Sequence, residues 1–77
     1  MNKVRRQKIG DAVLHIQSAE RILSSVMDDE QDAMDNMPEN LQESERYSTM
    51  EDAVDCLDDV ISTLDETIES LNEIINS

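Results

Sequence analysis

The 77-residue chain has no Phe and no Trp, and only one each of Tyr, Gly, Pro and Cys. Each scarcity excludes something. Cys56 has no partner for a disulfide within the chain, and a lone thiol fits a reducing, intracellular setting better than a secreted one. Gly10 and Pro38 are the only strong backbone punctuators, so the chain has few places to turn. Without large aromatic residues an ordinary mixed α/β core is not expected, whereas helix seams lined by Leu, Ile, Val, Met and Ala are. No run of about 18 apolar residues exists, so no segment is expected to span a membrane. The basic start (Lys3, Arg5, Arg6, Lys8) leads into an amphipathic stretch, unlike a secretory signal.

Positive charge is also scarce beyond the first few residues. Residues 1–10 carry four Lys/Arg and no acid. Residues 11–77 carry all nineteen Asp/Glu against Arg21 and Arg46, which gives −17 there and −13 overall. Such a surface repels nucleic acid and anionic lipid and attracts a basic protein surface. The same charge also serves solubility. A single domain over residues 1–77 is the expectation, and a chain this small tends to lean on oligomerisation for stability.

What the sequence does have is periodicity. Tyr47, Met50, Val54, Leu57, Ile61, Leu64, Ile68, Leu71 and Ile75 recur at alternating steps of three and four, an unbroken a/d heptad seam. The N-terminal half places Ile9, Ala12, Ile16, Ala19, Leu23, Val26, Ala33 and Met37 at a and d, with Glu30 interrupting; Val13, Ile22, Met27 and Met34 widen that apolar face. The pattern predicts one helix over about 3–35, a turn over about 36–44 and a second helix over about 45–76. Pro38 ends the first helix, and Asn36, which tolerates the left-handed conformation, is a reasonable last residue. Ser44 and Ser48 compete to cap the second helix, the latter with Glu51 in a capping box; Ser44 is favoured because Tyr47 already fits the seam. Pro38 to Gln42 can form a short helical turn. So short a connection makes the helices antiparallel neighbours and sets Lys3, Arg5, Arg6 and Lys8 beside Glu66, Glu69 and Glu73. The expected fold is therefore an all-α, coiled-coil-like antiparallel two-helix hairpin.

The second helix has two unlike sides. Asp52, Asp59, Glu66 and Glu73 share one heptad position, and Asp55 and Glu69 fall nearby; with Asp28, Asp29 and Asp32 of the first helix they are the candidate acidic partner-binding residues. On the opposite flank Ala53, Val60, Thr67 and Ile74, beside Thr49, Cys56, Thr63 and Ser70, carry no charge. A helix with a single partner usually has charge there. Ala53, Cys56, Val60, Thr63, Thr67 and Ile74 are accordingly the candidate oligomer interface, through which two hairpins would form a four-helix bundle. A solvated flank on a lone hairpin, or docking to a different protein, are the alternatives.

No residue pattern points to catalysis or to a cofactor. Asp28, Asp29, Glu30, Asp32 and Asp35 superficially resemble a calcium loop, but Ala33 stands where a glycine is needed and the helical register continues to Met34. The cluster reads either as a solvated helix face or as part of a docking surface. His15 has no second metal ligand, Cys56 no activating base or cation, and the Ser and Thr residues no general base. No enzymatic activity, metal or cofactor is expected.

The turn Met37-Pro38-Glu39-Asn40-Leu41-Gln42-Glu43-Ser44-Glu45-Arg46-Tyr47, followed by Met50-Glu51-Asp52-Ala53-Val54-Asp55, resembles small acidic coiled-coil proteins of bacteriophages and mobile elements of Gram-positive bacteria. That family is largely of unknown function, so the resemblance implies a setting, the cytoplasm of a bacterial host, and no activity. Within that setting the expected function is a phage-type inhibitor, anti-CRISPR-like, whose carboxylates occupy a basic, nucleic-acid-binding surface of a host protein. The alternative is a structural or assembly module that binds a partner helix through its apolar flank.

Overall fold

A computed structural model describes all 77 residues: a helix α1 (Lys3–Asp35), a single 3-10 turn (Glu39–Leu41) and a helix α2 (Glu45–Asn76), with no strand. α1 starts where Asn2, in an extended conformation, accepts a hydrogen bond from the Arg5 amide at 2.9 Å, which satisfies one of the amides a helix start leaves without a partner. Its end falls where the sequence places it, at Asp35 with Asn36 as the capping residue, but without the left-handed geometry that Asn tolerates. Asn36 is right-handed (φ −87°, ψ −3°), and no residue in the chain has a positive φ. The last turn of α1 instead tightens, with the Met37 amide donating to the Met34 carbonyl at 3.1 Å. Extended Pro38 (φ −56°, ψ 143°) then makes the change of direction.

The turn closes on its own backbone. The Leu41 amide donates to Pro38 O at 2.8 Å, Gln42 to Glu39 O at 3.2 Å and Ser44 to Leu41 O at 3.1 Å, while the Gln42 side-chain amide donates to Met37 O at 3.3 Å. Ser44 caps α2, and Ser48 lies inside the helix. The Ser44 hydroxyl accepts from the Tyr47 amide at 3.2 Å and donates to Leu41 O at 2.6 Å, which ties the turn to the helix start through one side chain.

Two contacts between the helices fix an antiparallel register. The Arg6 guanidinium donates to the Ser77 backbone oxygen at the open end, and Glu20 meets Asp65 midway. In this register Ile9 lies level with Ile75, Val13 with Leu71, Ile16 with Ile68, Leu23 with Ile61, Met27 with Leu57, Met34 with Met50 and Met37 with Tyr47. The basic start of α1 thus sits at the end of the rod that also holds the end of α2.

In α2 the nine heptad residues from Tyr47 to Ile75 are the only ones withdrawn from solvent. α1 departs from its expected seam. Ile9, Ile16, Leu23, Glu30 and Met37 face α2, but the positions between them are Val13, Glu20, Met27 and Met34. Ala12, Ala19, Val26 and Ala33, expected at the seam, are exposed. Two apolar rows flank the Ile9–Ile16–Leu23 line, and the helix turns the bulkier one inward. Burying Val or Met rather than Ala gains on the order of 1 kcal/mol per site. Val13 and Met34 are the two buried residues of the chain, at 7% and 4% exposure. The choice has a cost, since it brings Glu20 into the seam beside Glu30.

The result is a rod of 59 × 15 × 13 Å with a radius of gyration of 17.5 Å, against about 11–12 Å for a compact domain of this length. Its accessible surface is 5766 Å², whereas a compact monomer of 8.8 kDa exposes about 4,800 Å².

Candidate protein-interaction surfaces

A heptad hairpin with antiparallel helices has two distinct sides, because residues preceding the seam on one helix meet their counterparts on the other, as do those following it. The Glu20–Asp65 contact identifies the first side. Gln17, Ser24 and Gln31 of α1 lie there opposite Asp65, Asp58 and Glu51 of α2, with Asp55 and Glu69 beyond them. A shallow groove of about 770 Å³ runs along this side, lined by Glu20, Arg21, Ser24, Asp28, Asp29 and Asp65 among others, with Ile68 as its one apolar residue. The groove is unlike an apolar ligand pocket.

Glu20 is the one side chain whose protonation is visibly shifted. A hydrogen bond shared with the Asp65 carboxyl, then desolvation at the seam, then the negative charge of Asp65 raise its pKa above the ordinary value. One of its oxygens is cut off from solvent without a hydrogen-bond donor, which makes Glu20 an ill-matched residue for the seam.

The candidate acidic residues are all exposed, but they do not form one face. Asp52, Asp59, Glu66 and Glu73 run along the outer edge of α2, with Asp55 and Glu69 between that edge and the groove. Asp28 and Asp29 border the groove from α1, while Asp32 lies toward the outer edge of α1. The acidic surface therefore wraps the groove side and the back of α2, and a second, shorter acidic run lies at the turn end of α1. No group of three or more His, Cys, Asp or Glu side chains converges as a metal site. His15 is spent locally: its Nδ1 donates to the Asp11 carbonyl at 2.8 Å. Cys56 is a free, exposed thiol.

The second side is charge-poor. Ala53, Cys56, Val60, Thr63, Thr67 and Ile74 are all exposed along it, with Thr49 and Ser70. The register adds a strip of α1 that the sequence reading assigned to the seam or its margin: Ala12, Ala19, Ile22, Val26 and Ala33. Ile22 is 65% exposed, Val26 47%, Val60 40% and Ile74 39%. Thr49, Thr63 and Thr67 donate their hydroxyls to the carbonyls one turn back (Glu45, Asp59 and Thr63) at 3.0, 2.9 and 2.9 Å. Their polar atoms are thus satisfied within the helix, leaving methyl groups to the surface. The part played by Ile22 and Val26 was hidden by the phase of α1; the signal that could have found it was the greater bulk of Val13, Met27 and Met34 over the alanines beside them.

No protein-family model matches the chain, and neither a curated protein nor a solved structure is similar to it. No helix is long and apolar enough to cross a membrane.

Proposed function

We propose that the chain is a non-enzymatic protein-binding module of a bacterial cytoplasm, an acidic helical hairpin that occupies a basic surface of a partner protein. The single observation that carries this reading is the row Asp52, Asp59, Glu66 and Glu73, exposed on one edge of a rigid rod, with Asp55 and Glu69 beside it. Residues seven apart on a helix are about 10.5 Å apart along its axis. Carboxylates at such intervals can replace phosphates in a basic channel, and release of the counterions that the channel holds would drive binding. The resemblance of the turn to phage and mobile-element proteins favours an inhibitor of a host defence nuclease, anti-CRISPR-like, as the form this takes. Replacing Asp52, Asp59, Glu66 and Glu73 together by Asn or Gln tests it. The target should be lost while the helical signal persists, and wild-type binding should weaken steeply with added salt. Salt-insensitive binding that survives the four substitutions would remove the charge from the mechanism.

A second reading is favoured by the charge-poor side. Ile22, Val26, Val60 and Ile74 stand exposed together on it, which supports an assembly role through apolar contact, with two hairpins closing a four-helix bundle. The two readings use different sides of the rod and are compatible.

A further inference from the structure

We infer that the charge-poor side receives a second copy of this chain lying antiparallel to the first, so that α1 packs on α1 and α2 on α2. The inference rests on the second reading above and adds the partner, the orientation and the register.

Surface area is sufficient for a partner. The rod exposes about 1,000 Å² more than a compact monomer of its mass, and each partner in a standard stable interface contributes about 800 Å². Charge selects the side. Two chains of net charge −13 repel wherever carboxylates meet, and the flank from Ala12 to Ala33 and from Ala53 to Ile74 is where they meet least.

Charge also selects the orientation. A parallel pair would lay α1 of one copy on α2 of the other and bring the two acidic turn ends together, the Asp28–Asp35 run of each against Glu51, Asp52 and Asp55 of the other. An antiparallel pair sets the basic end of one rod against the acidic turn end of the other. Aligning Arg5 and Lys8 with Asp32 and Asp29 then centres the crossing between Ser18 and Ala19, which brings the exposed Ala19 to the crossing on α1 and, opposite it in the hairpin, Thr67 on α2. At that crossing Val26 of one copy meets the small Ala12 of the other, and Val60 meets Ile74, so the exposed apolar side chains find apolar neighbours without a clash of bulk.

Sedimentation at about 100 µM, a concentration at which a mass-action dimer of micromolar affinity is populated, gives the stoichiometry. A dimer is expected, and Val60→Glu should weaken it at least 100-fold. In a Cys56→Ser background, Thr67→Cys should form one interchain disulfide under mild oxidation, because a residue on a two-fold axis faces itself. A wild-type monomer at that concentration overturns the second copy as occupant, and leaves docking of another protein on the same side standing. A dimer in which Thr67→Cys does not link to itself, but links to Ala19→Cys when the two variants are mixed, overturns the antiparallel orientation alone. A dimer indifferent to Val60→Glu overturns both this inference and the reading of the flank on which it rests.

Discussion

α1 and α2 have nearly the same length and share one interface, yet they meet it differently. α2 offers nine apolar residues in strict heptad order and buries all nine only in part. α1 offers two overlapping apolar rows, buries the bulkier one, and accepts Glu20 as a consequence, in addition to the Glu30 that either row would place there. It holds the two most deeply buried residues of the chain and also its least favourable seam position. A regular pattern thus spreads stability evenly along a helix, and an irregular one concentrates it at a few sites and stores a conflict at another.

The largest effect should come from breaking α1 at its most buried point. Met34→Ala is expected to lose about 2–3 kcal/mol in urea unfolding followed by circular dichroism, and Met50→Ala, level with it on half-buried α2, clearly less. Equal losses would show that burial does not differ between the helices as described.

Glu20→Leu should sharpen the comparison from the other direction, by giving α1 an apolar residue level with Leu64. Stability at neutral pH should rise, by less than Met34→Ala removes. The wild-type pH dependence has a definite sign. Glu20 binds its proton more tightly in the folded hairpin than in the unfolded chain, so its contribution is full below the ordinary carboxylate pKa and is lost as pH rises through the raised folded value. Melting temperature should therefore climb as pH falls from neutrality into the carboxylate range, and Glu20→Gln should flatten that climb.

Two smaller effects test the helix starts and interiors. Ser44→Ala removes the α2 cap together with its link to Leu41, and should lower stability by about 1 kcal/mol. Gly10→Ala should raise it by about 0.5–1 kcal/mol, since Gly10 is helical, has ordinary φ, and a methyl there meets nothing within 4 Å.

The architecture was legible because heptad spacing and a single proline leave little else for the chain to do. The α2 seam reads directly, residue by residue, and the place of Tyr47 in it selects Ser44 over Ser48 as the cap. The phase of α1 was not legible from spacing, because Ala12, Ala19 and Ala33 satisfy the a/d pattern as well as Val13, Met27 and Met34 do. Volume decided between them, and periodicity carries no volume. Asn36 ends the helix as its type suggests, but its tolerance of left-handed geometry is a permission that the chain leaves unused, because Pro38 makes the turn. Of the interaction surfaces, the acidic residues were readable as exposed. Their division between the groove side, the back of α2 and the turn end of α1 depends on the rotation of α1, which spacing leaves undetermined.

The hairpin is covalently closed at one end only. Met37 and Tyr47 form its first rung, ten residues apart along the chain, whereas Arg6 and Ser77 at the mouth are separated by 71. Each rung outward closes a longer loop at a higher entropic cost, so the rod should zip from the turn and fray from the mouth. Tyr47, the sole fluorophore, sits at the hinge of that zipper. Its emission should report the earliest event in folding and the last in melting, out of step with the helical signal from the rest of the chain.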